Sequence, residues 1–87
     1  MVTKIFALEF GPFSIRTNSV NPTVTMTDMG REGWADEARA RDMKAKIPLN
    51  RFAEPDEVVD AILYLLSERS SMVNGILMPV DGGYLAC

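Results

Sequence analysis

Histidine is absent from the 87 residues, and with it the commonest metal ligand and the commonest general base of proteins. No metal site is expected. Cysteine occurs once, as Cys87, so no internal disulfide can form and a reducing, cytoplasmic compartment is the expectation. No apolar run approaches the roughly 18 residues of a membrane span, and the Met-Val-Thr-Lys start lacks the basic-then-apolar order of a secretory signal. Nine basic and twelve acidic side chains are interspersed, for a net charge of −3. Without a cationic face, neither nucleic acid nor a membrane surface is an expected partner. At 47% hydrophobic content, 87 residues make at most one small domain or a piece of a larger one.

What is present alternates helix and strand signals. Val2, Ile5, Phe6, Leu8, Glu9 and Phe10 carry helical spacing, with Gly11 free to take positive φ and Pro12 as a stop. This helix is in register from its second residue without a capping side chain, so further turns are expected upstream. Residues 15–21 read as a strand halted by Pro22, whose ring removes a ladder donor. The chain then reads as irregular to about Gly33. From Asp36 to Lys46 acids lead and bases follow, which suits a helix dipole, with Ala38, Met43 and Ala45 as a thin apolar stripe. Pro55 suits a first helical position, and Val58, Val59, Ile62, Leu65 and Leu66 mark one buried face of a helix running to about Arg69. The apolar run from Ile76 to Val80 suits a strand covered on both faces, confined to a sheet edge by Pro79 and ended by Asp81-Gly82-Gly83. Strand, helix, strand implies a right-handed parallel crossover, hence an α/β fold built as part of a doubly wound sheet.

In such sheets a cofactor sits at the carboxyl ends of the strands. There the stretch from Asn18 to Thr27 opens into a loop bearing Thr23, Thr25 and Thr27, which either bind a ligand or merely solvate a turn. Three ordered motifs narrow the choice. Asn18 to Thr27 resembles the Asn-x-Val-x-Pro-Gly-x-x-x-Thr loop of the short-chain dehydrogenase/reductase family. Arg51, Pro55, Glu57 and Val58 fall where its Arg-x-x-x-Pro-x-Glu-Val helix entry does, and Asn74-Gly75 with Val80-Asp81-Gly82-Gly83 is similar to its Thr-Gly and Val-Asp-Gly-Gly ending. Leu8 to Pro12, Asn21 to Val24, Trp34 and Tyr84 to Cys87 look most like the branch that reduces ketoses and α-dicarbonyl compounds.

The resemblance implies that residues 1–87 are the C-terminal third of one Rossmann-like domain, with about two strands and three to four helices. It implies an NADP(H)-dependent oxidoreductase that delivers hydride to a carbonyl carbon and a proton to its oxygen. Pro22, Thr23, Val24, Thr25 and Thr27 would hold the nicotinamide, with Thr27 the strongest single candidate. Trp34 would cover the small-molecule carbonyl substrate or else anchor the helix after it. Tyr84, Leu85 and Cys87 would touch a neighbouring subunit of a homotetramer. Thr23 stands where the family usually has glycine, as it also does in the ketose-reducing branch, and Thr25 stands where the family usually has valine or isoleucine, which puts a polar group where an apolar one commonly packs.

The family's reacting pair, a tyrosine with a lysine four residues later, is missing. Tyr64 is followed at that spacing by Glu68, and Tyr84 has only three residues after it. Ala40 precedes Lys44, Asp42 precedes Lys46, and Lys4 has no residue four before it. No catalytic residue is therefore expected within the chain, and the resemblance implies that the tyrosine and lysine lie upstream of Met1. The six glycines, at 11, 30, 33, 75, 82 and 83, cannot form the Gly-x-x-x-Gly-x-Gly pyrophosphate turn either. The alternative to a reductase is a truncated interaction module, or a partial gene product, that associates with full-length subunits. Either way the purified chain is expected to consume no NADPH in the presence of diacetyl. Absorbance loss above an enzyme-free blank refutes that expectation.

Overall fold

The computed structural model describes residues 1–86, so the expected contact role of Cys87 lies outside the described residues. In chain order the elements are α1 (Val2–Phe10), β1 (Ser19–Pro22), α2 (Asp28–Gly33), α3 (Glu37–Ala45), α4 (Pro55–Leu66) and β2 (Leu77–Val80). Short 3₁₀ turns follow α1, α4 and β2, at Gly11–Phe13, Glu68–Ser70 and Tyr84–Ala86. The architecture is α/β, with β1 and β2 paired in parallel through a connection that includes α4.

The register aligns Ser19 with Leu77 and Pro22 with Val80. Because the Ser19 N–H donates to the Ile76 carbonyl (3.0 Å), ladder alternation turns Ser19 and Asn21 toward β2 and Val20 and Pro22 away from it. Pro22 therefore ends β1 from inside the strand, without removing a bond to β2. Residues 15–18, expected to be strand, are held by polar side chains instead. The Thr17 N–H donates to Asn74 Oδ1 (2.9 Å), the Asn18 side chain accepts from the Ile76 N–H (3.0 Å), and Gly75 N–H donates to the Thr17 carbonyl (2.8 Å). Arg16 completes this clasp, its guanidinium donating to Ser70 Oγ and to the carbonyls of Val73 and Ser67 (3.1–3.3 Å). Ser70, 1% exposed, is the most enclosed polar residue among those described.

α4 begins with a capping box in which Glu54 and Glu57 satisfy each other's backbone amides, and Pro55 occupies the first turn. It packs on both strands and ends at Leu66, short of the expected Arg69. Its inward stripe is Val58, Ala61 and Leu65, whereas Val59, Ile62 and Leu66 stay exposed. Periodicity could not separate these two apolar stripes, because both repeat at three- and four-residue steps. β2 is likewise covered on one face only, with Met78 and Val80 half-buried and Leu77 and Pro79 exposed.

The well-enclosed core is small: Ala40, Ile47 and Phe52, joined by Val24, Met26, Trp34 and Met43. α3 thus faces inward with Ala40 and Met43, while Ala38 and Ala45 point outward. The stretch expected to be irregular contains α2. Gly30 and Gly33 lower its helix propensity by about 1 kcal/mol each, hiding it from the sequence. Gly30 is required, since a Cβ there would collide with the Thr25 carbonyl. Gly11 is right-handed (φ −53°), and the left-handed residue is Ser14 (φ 62°). Pro12 needs no donor in the first turn of the 3₁₀ segment, so the helical path runs on through it.

Arg16→Met is expected to lower stability by about 2 kcal/mol, since it strands part-buried acceptors on the segment entering β2. Urea denaturation followed by circular dichroism reads this; an unchanged midpoint refutes the clasp.

Candidate nicotinamide-side site

A cavity of about 440 Å³ opens beyond the carboxyl ends of β1 and β2. Thr23 and Val24 line it from β1, and Pro79 to Gly83 from β2. Ile47, Leu49, Arg51, Phe52, Ala53 and Glu57 come from the connection between α3 and α4 and from the first turn of α4. Its position follows from the parallel pairing, because both strands leave the sheet at the same end.

The threonine loop is held by one residue. Ala53 donates its N–H to the Val24 carbonyl (3.0 Å) and accepts from the Met26 N–H (2.8 Å), bracketing Thr25 as in a single parallel bridge. Phe52 beside it is buried against Trp34, ring centroids 5.4 Å apart, and Arg51 clamps the far side. The Arg51 guanidinium donates both Nη groups to the Glu57 carboxylate (2.6 and 2.7 Å), which also accepts the Glu54 N–H (2.9 Å). These bonds, that to Arg51 foremost, pull the Glu57 carboxyl down to about 2 and raise the Arg51 pKa. Arg51 and Glu57, read from sequence as helix entry, thus also form part of the cavity wall.

Of the expected site residues, Thr23 and Val24 line the cavity, whereas Pro22, the last residue of β1, and Thr27 do not. The Thr23 Oγ1 is enclosed yet has no hydrogen-bond partner. An orphaned hydroxyl of this kind fits a polar ligand group such as a nicotinamide carboxamide. Thr25 lies in the Ala53 bridge rather than on the cavity wall, and its N–H takes part in none of the backbone bonds around it. Thr27 caps α2, its Oγ1 accepting from the Gly30 N–H (3.1 Å). Accepting that bond leaves the threonine's own O–H available to donate. Trp34 is not in the wall of this cavity: it packs on Phe52, carries the Arg39 guanidinium 5.0 Å from its ring centroid, and lines a second hollow with Ala40 and Lys44. Met1, upstream of which the reacting pair is expected, is itself no site residue. It flanks α1, its carbonyl accepting the Ile5 N–H (3.1 Å), and at 85% exposure it is absent from the cavity wall.

Sequence reasoning missed Ile47, Leu49, Phe52 and Ala53. The available signal was the pair of glycines opposite them. Gly82 and Gly83 take positive φ (62° and 98°), and Cβ atoms there would come within 2.7 Å of Ile47 and 2.9 Å of Pro48. Asp81 folds this turn by accepting from the N–H groups of Gly83 (3.0 Å) and Leu85 (3.1 Å). No grouping of acidic or cysteine side chains suited to a metal occurs among the described residues.

Residues 1–85 match the family model described as Enoyl-(Acyl carrier protein) reductase. The chain belongs to the short-chain dehydrogenase/reductase family. It is 59% identical over 85 residues to L-xylulose reductase of Mesocricetus auratus, covering 98% of this chain and 35% of that protein. It is 51% identical over 86 residues to carbonyl reductase [NADPH] 2 of Sus scrofa, covering 99% and 35%. A putative 2-deoxy-d-gluconate 3-dehydrogenase from Agrobacterium tumefaciens, solved with bound NADP, superposes at TM-score 0.94 and 30% identity, covering 99% of this chain and 35% of that one. The chain thus spans about a third of the length of the curated relatives it matches.

The Arg51–Glu57 pair predicts a defined acid response. The folded-state pKa of Glu57, about 2, lies below its ordinary value of 4.5, so the pair stabilises above that ordinary value and fades as pH falls from 4.5 toward 2. Glu57→Gln is expected to be less stable than the parent at neutral pH and to converge with it across that window, as read by denaturation at a series of pH values.

Proposed function

We propose that this chain forms the nicotinamide-side wall of an NADP(H)-dependent carbonyl reductase acting on an L-xylulose-type ketose or an α-dicarbonyl compound. The observation that carries the reading is the enclosed, unpartnered Thr23 hydroxyl at a cavity beyond the carboxyl end of β1, in a chain 59% identical to an L-xylulose reductase. The word NADPH in the name of the Sus scrofa relative, and the NADP bound by the Agrobacterium protein, support the choice of cofactor.

NADPH supplies the hydride in such chemistry. This chain's part is to fix the angle and depth of the ring, on which near-attack geometry depends. Pro22 ends the strand, and Thr23 and Val24 form the wall. The enclosed Thr23 hydroxyl is the polar group this wall offers the carboxamide, and the family resemblance adds the Thr25 N–H and the O–H of Thr27, which belong to the loop after Val24 and not to the cavity wall. Holding Thr27 at the head of α2 and Thr25 against Ala53 fixes those donors before the ligand arrives, which lowers the ordering cost of binding. No tyrosine–lysine pair at that spacing occurs in this chain, so in this reading the proton donor is not one of its residues. In the whole protein, Tyr84 and Leu85, both exposed, are suited to contact a neighbouring subunit of a cytoplasmic homotetramer.

A second reading, an interaction module that associates with other subunits, is favoured by the bare face of the sheet. A chimera separates the two. When this chain replaces the matching third of the Mesocricetus auratus enzyme, NADPH is expected to be consumed with diacetyl or L-xylulose. Thr27→Val in the chimera is expected to lower kcat/KM for NADPH about tenfold, with Thr27→Ser retaining most of it. A chimera that folds but consumes no NADPH overturns the reductase reading.

A further inference from the structure

We propose that Asn74-Gly75 is a deamidation site, held closed by the backbone of Thr17, whose conversion to aspartate or isoaspartate detaches α1 from the entry of β2. This modification goes beyond the reductase reading and is independent of it, since none of the residues involved lines the cavity.

Of the asparagines at 18, 21, 50 and 74, Asn74 alone precedes a glycine. Glycine has no side chain to shield its nitrogen, so the Gly75 nitrogen can attack Asn74 Cγ and form a succinimide ring. The Cγ–Nδ2 bond breaks, and the Gly75 proton passes through water to the departing nitrogen, which leaves as ammonia. Water then opens the ring at Cγ, giving aspartate, or at the Asn74 main-chain carbonyl carbon, giving isoaspartate. The net change is a water consumed and an ammonia released, with no oxidant or reductant. Threonine, the residue of the family motif at this position, has no amide to lose. Nor does position 75 accept a shielding side chain, since Gly75 takes φ 77° and a Cβ there would come within 3.3 Å of the Ala7 Cβ.

The fold restrains both reacting groups. The Gly75 N–H is engaged by the Thr17 carbonyl (2.8 Å), Asn74 Oδ1 accepts from the Thr17 N–H (2.9 Å), and Nδ2 donates to the Ala7 carbonyl (3.3 Å). Asn18 fastens the residues on either side, donating to the Val73 carbonyl and accepting from the Ile76 N–H, each at 3.0 Å. Attack therefore requires this segment to open, although Asn74 itself is exposed to water. The product cannot close the segment as before. An aspartate side chain only accepts, so the bond to the Ala7 carbonyl is lost. Its charge also lies against the last turn of α1, the unfavourable pole of the helix dipole. Isoaspartate adds a methylene to the main chain between the two groups that bond Thr17, which moves Gly75 and Ile76 out of register with Thr17 and Asn18.

The test is ageing of the purified chain at neutral pH, read by peptide mass mapping. A gain of about one mass unit, confined to the peptide holding Asn74, is expected. It is expected to accumulate about a hundredfold more slowly in the folded chain than in the same chain unfolded in urea. Asn18→Ala removes both flanking bonds and touches neither reacting group; it is expected to speed the folded reaction about tenfold. Should circular dichroism show that variant to be unfolded, urea too dilute to unfold the parent serves instead, and exchange of the Gly75 amide and the mass gain are expected to rise in parallel. Asn74→Asp is expected to exchange the amides in the last turn of α1 about tenfold faster than the parent does. The proposal is overturned if the folded chain never gains the unit or gains it as fast as the unfolded one, or if the gain maps to another asparagine. It is equally overturned if folded Asn18→Ala reacts no faster, if exchange and mass gain do not rise together, or if Asn74→Asp leaves the protection of α1 unchanged.

Discussion

Parallel strands must be joined by a connection that carries the chain back to the same end of the sheet, and here that connection is long enough to hold α3, the 47–54 loop and α4. Because β1 and β2 run side by side, Pro22 and Val80 leave the sheet together, and the threonine loop faces the Asp81-Gly82-Gly83 turn across one cavity. The loop after α3 is trapped between them. Its Leu49 N–H donates to the Gly82 carbonyl (3.1 Å), and Ala53 bonds both sides of Thr25. The threonine loop and the loop after α3 are therefore tied to the strand pairing through backbone bonds, and the Arg51–Glu57 side-chain pair holds the remaining wall.

Polar residues perform two separate tasks around that frame. At the amino ends of the strands, Arg16, Thr17, Asn18 and Asn74 replace ladder bonds by side-chain bonds and lock the approach to the sheet. At the carboxyl ends, the Arg51–Glu57 pair and the capping box hold the entry of α4, while the hydroxyl of Thr23 is left without a partner. Satisfied groups at one end and an unsatisfied one at the other is the division expected between scaffold and binding site.

The helices α3 and α4, the two strands and the turn at Gly82-Gly83 were legible because capping residues, prolines and apolar runs are local signals. The inward stripe of α4 was not, since Val58–Ala61–Leu65 and Val59–Ile62–Leu66 have the same period and only packing on the strands distinguishes them. α2 was hidden by Gly30, a residue chosen for a close approach to the Thr25 carbonyl rather than for helix propensity. Phe52 and Ala53 gave no sign of a site role, because that role consists of a backbone bridge and a ring contact with Trp34, both to residues far away in sequence.

The chain's residues by themselves determined the family, the alternation of helix and strand, and the threonine-bearing loop beyond a proline-ended strand. These depend on residue type and spacing along the backbone. Tertiary structure alone decided that Thr23 is enclosed and unpartnered, that Thr27 caps a helix, and that Trp34 packs on Phe52. Each of those depends on which distant group a side chain or amide meets, and that is set by the register and packing of elements, not by their local sequence.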